Sequence, residues 1–264
     1  MSVAETAVDP GAHLLVTRFN LRHGGVYDSR YSEAWMAHRM AVFARWCLPS
    51  VRAQTARGFR WLVLFDTGRS APWREEIARL AALAPFEPVF LDDIGGLVEA
   101  IAERAPAEGV LVTSRLDNDD VLHPGHIAAV QRAAGEGLAE PAPLPFVIDV
   151  RTLLWWDVAE GTVRVIPHRE VSPYASLVER LAPGTPPRTV FAERHNRLDR
   201  AFGPPRLVDG RVLTLLHDRN VVNGLRRNGR LARLWLRISM GQKFLSGSAA
   251  ARVLADFGIT ESAG

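Results

Sequence analysis

Three carboxylates, Asp117, Asp119 and Asp120, fall within four residues, directly after an apolar run from Val110 to Leu116. The run reads as a buried strand. Like charges this close repel by on the order of 4 kcal/mol per pair at 4 Å and an effective dielectric of 20. A divalent cation relieves that cost, and hard ions prefer oxygen ligands. The carboxyl end of a strand is also where an open α/β sheet places its ligand site. The pattern implies metal-assisted chemistry on a phosphorylated substrate. The competing reading is an acidic loop whose aspartates cap the next turn.

Composition narrows the setting. The chain has 264 residues, 47% of them hydrophobic, enough for one large domain with an ordinary core. Net charge is only +3, and Lys243 is the single lysine, so the basic residues are almost all arginine. No basic block interleaves with aromatics, which argues against nucleic acid as a partner. Cys47 stands alone, which excludes an internal disulfide and a cysteine-based zinc site. No run is long and apolar enough for a membrane span, and residues 1–11 do not read as a signal peptide. The expectation is a cytoplasmic protein.

The elements that must position the acidic turn alternate in type. Strands are expected over His13–Phe19, Arg60–Asp66, Glu87–Leu91 and Val110–Leu116. Helices are expected from Ser32 to about Gly58 with a break at Pro49, from Pro72 to Leu83, from Gly96 to Arg104, and from His123 to about Ala134. This alternation argues for a layered α/β fold with a mixed, mostly parallel sheet flanked by helices. Beyond it, Phe146–Trp156 and Thr162–Ile166 read as a hairpin, Thr189–Ala192 and Arg211–Leu216 as short strands, and Asn228–Leu245 as a helix. The parallel strands put their carboxyl ends on one edge, gathering Arg18 and Asn20, Asp66 and Ser70, and Arg115 to Asp120. If the last strand joins the sheet, His217 and Asp218 arrive there too.

Several blocks resemble known enzymes. Leu48-Pro49-Ser50-Val51-Arg52-Ala53-Gln54-Thr55, followed by Phe59 to Asp66, is similar to the family 2 glycosyltransferase pattern of a helix ending in Gln-Thr, then a strand and an aspartate. Ser114 to Asp120 is similar to that family's Asp-x-Asp-Asp segment. Thr17-Arg18-Phe19-Asn20, Leu48-Pro49-Ser50, Arg115 to Asp120 and Ser172-Pro173-Tyr174 together resemble the putative rhamnosyltransferase family of bacteria. The resemblance spans residues 13 to 245 in scattered blocks.

The resemblance implies a GT-A-like fold and a dTDP-, UDP- or GDP-linked sugar donor, with Mn²⁺ or Mg²⁺ as cofactor. It implies one domain over residues 1–264, with a nucleotide-sugar half (12–135) and an acceptor-side half ending in helices (136–264). Donor contacts are expected from Arg18, Asn20, Asp66, Arg115 and Asp117. Metal ligands are expected at Asp119 and His217, with Asp120 a further candidate. The pattern departs from family 2 in one respect: a single Asp66, followed by Thr67, replaces the usual aspartate pair. No motif singles out a catalytic base; Asp149 and Glu193 are weak candidates beside Asp157, Glu170 and Glu179. The sugar, rhamnose by the family's name, would pass to a glycan, lipid-linked or small-molecule acceptor. The arginines from Arg226 to Arg237 form an amphipathic stretch suited either to solvent or to peripheral contact with the inner face of a membrane. Two other readings compete. A nucleotidyltransferase would want a Gly-x-Gly signature with a trailing lysine after the first strand, which is absent. A non-catalytic carbohydrate-binding protein would not need the aspartates.

Overall fold

The computed structural model describes residues 13–21, 32–84, 86–141, 143–216, 236 and 238–260. Four parallel strands form its first half: β1 (His13–Arg18), β2 (Arg60–Asp66), β3 (Phe86–Leu91) and β4 (Gly109–Arg115), in the spatial order β3-β2-β1-β4. They are apolar on both faces because both faces are covered. Along β2, Trp61, Val63 and Phe65 enter one core with Met36, Met40 and Phe43. Leu62 and Leu64 enter a second core with Leu97 and Ile101. Helix α1 (Glu33–Val42) and α2 (Leu48–Arg52) cover the first face, and α4 (Leu97–Ala102) the second; α3 (Arg74–Leu83) adds Ile77 and Leu80 to the first core.

Ser32 caps α1 as expected, its hydroxyl accepting from the Trp35 amide at 3.3 Å. The break at Pro49 takes a definite form. Proline has no N–H, and its ring collides with the carbonyl four residues back. The chain answers with a π-helical turn over Phe43–Cys47, in which the Leu48 amide donates to the Phe43 carbonyl.

The second half extends the same sheet. Strand β5 (Asp120–Leu122) is followed by α5 (His126–Ala139), then by a hairpin of β6 (Phe146–Asp157) and β7 (Thr162–Pro167). Strand β8 (Ser176–Leu181) runs antiparallel to both β4 and β6 and so joins the halves. After α6 (Leu198–Phe202), β9 (Arg206–Leu216) lies parallel to β6 and antiparallel to β5, with Thr214 opposite Asp120. The last expected strand therefore does join the sheet and ends beside the acidic turn.

Two expected elements differ. Residues 189–192 are not a strand: the Arg188 and Thr189 amides donate to the Glu179 carboxylate at 2.8 and 2.9 Å, and the Val190 amide to Thr113 Oγ1 at 2.8 Å, which leaves no ladder. Residues 243–245 are strand rather than helix, β10 (Lys243–Leu245) pairing with β7, and α7 (Gly247–Asp256) follows. Most of the Arg226 to Arg237 stretch lies outside the described residues. Among the described residues no helix is long and apolar enough to cross a membrane.

Two buried histidines set an acid limit. Burial first, and repulsion from His126 second, lower the His13 pKa to about 3. Burial likewise lowers His126 to about 4. Below pH 6.5 the unfolded chain binds protons that the folded chain refuses, so stability falls as pH drops from about 6.5 toward 4. Urea denaturation at pH 7.5 and pH 5 should show a loss of about 2 kcal/mol for each histidine, and His126→Gln should remove its share.

Candidate active site

The carboxyl edge of β1, β2 and β4 gathers the expected polar groups, but their roles divide. Asn20 is buried, and its amide is spent internally. Its Oδ1 accepts from the Asp66 amide at 2.9 Å, and its Nδ2 reaches Ser70 Oγ at 3.1 Å. Asp66 is also buried; its Oδ1 accepts from the Arg69 amide at 2.8 Å and holds the turn over residues 67–70. These two residues, expected as donor contacts, join the ends of β1 and β2.

Arg18 and Arg115 are different. Both lie over one ring: their guanidinium carbons stand 5.3 and 4.6 Å from the Phe191 centroid. Arg115 is 9% exposed, and its buried Nη1 has no hydrogen-bond partner. Burial and then Arg18 lower its pKa to about 10, while Asp117 acts the other way. Arg115 thus stays charged at neutral pH with a donor unsatisfied, which is costly unless an anion arrives.

Phe191 is held by a strap over residues 188–192. Glu179 takes two of its amides, as described, and Thr189 sits at a φ of 64°, a left-handed conformation that a β-branched residue adopts only under constraint. Further along the chain, His195 is half-buried. Burial, then Arg115, lowers its pKa; Asp117, Glu170 and Asp149 oppose this. Glu193, just beyond the strap, is exposed.

The three aspartates have three environments. Asp117 is exposed to solvent yet walled by protein. That desolvation and Asp119 raise its pKa, against Arg18, Arg115 and Arg39. Asp119 is ion-paired with Arg39 of α1. Asp120 is buried, accepting from the Tyr174 hydroxyl at 2.6 Å and from the Leu215 amide at 3.3 Å. Burial, Asp119 and Asp117 raise its pKa well above the usual carboxylate range. Tyr174 also bonds Thr214 Oγ1.

Among the described residues the donor set is not arranged around a divalent ion. Asp119 is occupied by a guanidinium, Asp120 is enclosed by its own hydrogen bonds, and His217 lies outside the described residues. Among the described residues no three His, Cys, Asp and Glu side chains are arranged to hold a metal.

Asp149 is not available as a base. Its oxygens accept from Ser172 N at 2.7 Å, Ser172 Oγ at 2.5 Å, Val150 N at 2.8 Å and His168 Nε2 at 3.0 Å. It positions the Ser172-Pro173-Tyr174 block, and through Tyr174 it steadies Asp120. The Gln-Thr block works similarly from the other side. Gln54 is fully buried; it donates to the Ser50 and His123 carbonyls at 3.0 and 2.8 Å and accepts from the Ile127 amide at 3.0 Å. Ser50 Oγ accepts from the Leu122 amide at 3.1 Å. Both blocks fix the segment leaving the acidic turn.

A family model described as putative rhamnosyl transferase matches residues 13–227. This chain belongs to the putative rhamnosyl transferase family. No curated protein matches the sequence. Among solved structures, Staphylococcus aureus TarS 1–349 is 11% identical over 64% of this chain and 47% of that one, with a TM-score of 0.38. Its complex with UDP-GlcNAc is 11% identical over 93% and 71%, with a TM-score of 0.39. A putative nucleotide-diphospho-sugar transferase from Desulfovibrio desulfuricans G20 is 11% identical over 97% and 99%, with a TM-score of 0.36. The chain spans about half the length of the first of these. The family match carries the assignment.

Arg39, Phe191 and His195 escaped sequence reading. Arg39 had a usable signal: it falls on the apolar stripe of α1 with Met36, Met40 and Phe43, where a charge needs a buried partner. Tyr174→Phe, which strips Asp120 of a buried donor, should cost about 1–3 kcal/mol in urea unfolding at pH 7. A change below about 0.5 kcal/mol would show the bond to be idle.

Proposed function

We propose that this chain is a glycosyltransferase that takes its sugar from a nucleoside-diphosphate donor whose diphosphate lies against Arg18 and Arg115. The observation that carries this reading is the buried Arg115 Nη1 with no partner, beside a second arginine on a shared aromatic ring. Two like charges are held together there at the carboxyl edge of a parallel sheet, where anionic ligands bind. Phosphate oxygens supply the acceptor that Arg115 Nη1 lacks, in strong charge-assisted bonds.

Breaking the glycosidic bond gathers negative charge on the leaving diphosphate. Fixed guanidiniums favour that charge without having to reorganise. The Asn20 and Asp66 network holds the β2 turn in place on the nucleoside side. Asp117, open to solvent among the arginines, faces the sugar. His195, kept neutral at pH 7 by burial and Arg115, is suited to take the acceptor hydroxyl proton. The transferred unit is a hexose, rhamnose by the family's name.

Calorimetric titration with UDP, dTDP and GDP, followed by a panel of their sugars, tests this. One diphosphate should bind, and Arg115→Met should weaken it by about 10- to 100-fold while leaving the thermal midpoint near that of the wild type. Equal binding by Arg115→Met, or binding of all partners without turnover of any sugar, would contradict the reading.

A further inference from the structure

Arg39 is 6% exposed, in the body of α1, and it points at the acidic turn rather than at solvent. Its Nη1 is ion-paired with Asp119 and donates to Asn118 Oδ1 at 3.1 Å. Asn118 in turn donates to the Phe19 carbonyl at 3.0 Å, so the contact ties α1 to the ends of both β1 and β4. The Trp35 ring lies 5.2 Å from the guanidinium carbon, and the buried Nε has no partner. A guanidinium is not placed in such a spot cheaply. It has to neutralise something, and the carboxylate it meets is Asp119.

We propose that Arg39 is the resident counter-cation of the acidic turn, so that the donor binds and the sugar is transferred without a divalent ion. This rests on the reading of the edge as a diphosphate site. The physical argument is exclusion. A divalent ion on Asp119 would displace Arg39 from its partner and leave a buried guanidinium beside a doubly charged cation. The two occupants compete for one carboxylate. The charge balance agrees: three arginines, Arg18, Arg39 and Arg115, stand against the three carboxylates of the turn, so the edge holds no excess negative charge for a divalent ion to neutralise. Arg39 is thus a positioning residue; it fixes Asp119 and Asn118 and leaves Arg18 and Arg115 to receive the diphosphate.

The test begins with the nucleotide-free protein and Mn²⁺ alone, followed by the electron paramagnetic resonance of the free ion. Wild type should take up no Mn²⁺, and Arg39→Met should take up one ion per chain and gain thermal stability from it. If Arg39→Met fails to fold, the Arg39→Met/Asp119→Asn pair, which removes both charges, should fold and take up none. In a second arm, the diphosphate bound by the wild type should show the same affinity, within about twofold, in EDTA and in Mn²⁺. Stoichiometric Mn²⁺ uptake by the nucleotide-free wild type, or loss of nucleotide binding in EDTA, overturns the assignment. Failure of every diphosphate to bind in either buffer contradicts the proposed function instead, while the Mn²⁺ uptake of wild type and variant still decides the role of Arg39.

Discussion

Charge compensation at the carboxyl edge of the parallel sheet governs the architecture of the site. Asp117, Asp119 and Asp120 follow one strand within four residues, and each has its repulsion relieved differently. Asp119 is met by Arg39, Asp117 lies in the field of three arginines, and Asp120 is buried against Tyr174 and the Leu215 amide. Arg18 and Arg115 are in turn held near each other by the Phe191 ring and by Asp117. Remove Arg39 or Asp119 and a buried charge is left uncompensated, which costs more than a mere contact.

Much of the surrounding fold exists to hold that arrangement. The π-helical turn forced by Pro49 carries α1 into α2 and delivers Ser50 and Gln54 to the segment that leaves the acidic turn. From the opposite side Asp149 fixes Ser172, and the same loop presents Tyr174 to Asp120. Glu179 and Thr113 pin the strap that bears Phe191, at the expense of a left-handed Thr189. The carboxyl edge is thus supported from α2, β8 and β9 as well as from the strands that end there.

The scaffold was legible because its signals are local. Alternating apolar strands and capped helices gave the four parallel strands, and the Gln-Thr and acidic blocks gave the family. What was not legible depends on pairing between distant residues. Nothing near Arg39 in the chain announces Asp119, eighty positions on, so the ion pair that meets the acidic turn could not be read there. Nothing near Asp149 announces that Ser172 and His168 will use up its oxygens. The apolar pattern of Thr189–Ala192 read as a strand because the side chains that take its amides, Glu179 and Thr113, are remote in sequence.

On the proposed reading, charge on a departing diphosphate is favoured by arginines that are fixed before the donor arrives. The most direct test is a crystal structure grown with the bound nucleoside diphosphate in EDTA. The account predicts phosphate oxygens within hydrogen-bonding distance of Arg115 Nη1 and Arg18, with Arg39 still paired to Asp119. A diphosphate seated away from both arginines, or an Arg39 released from Asp119, would contradict it.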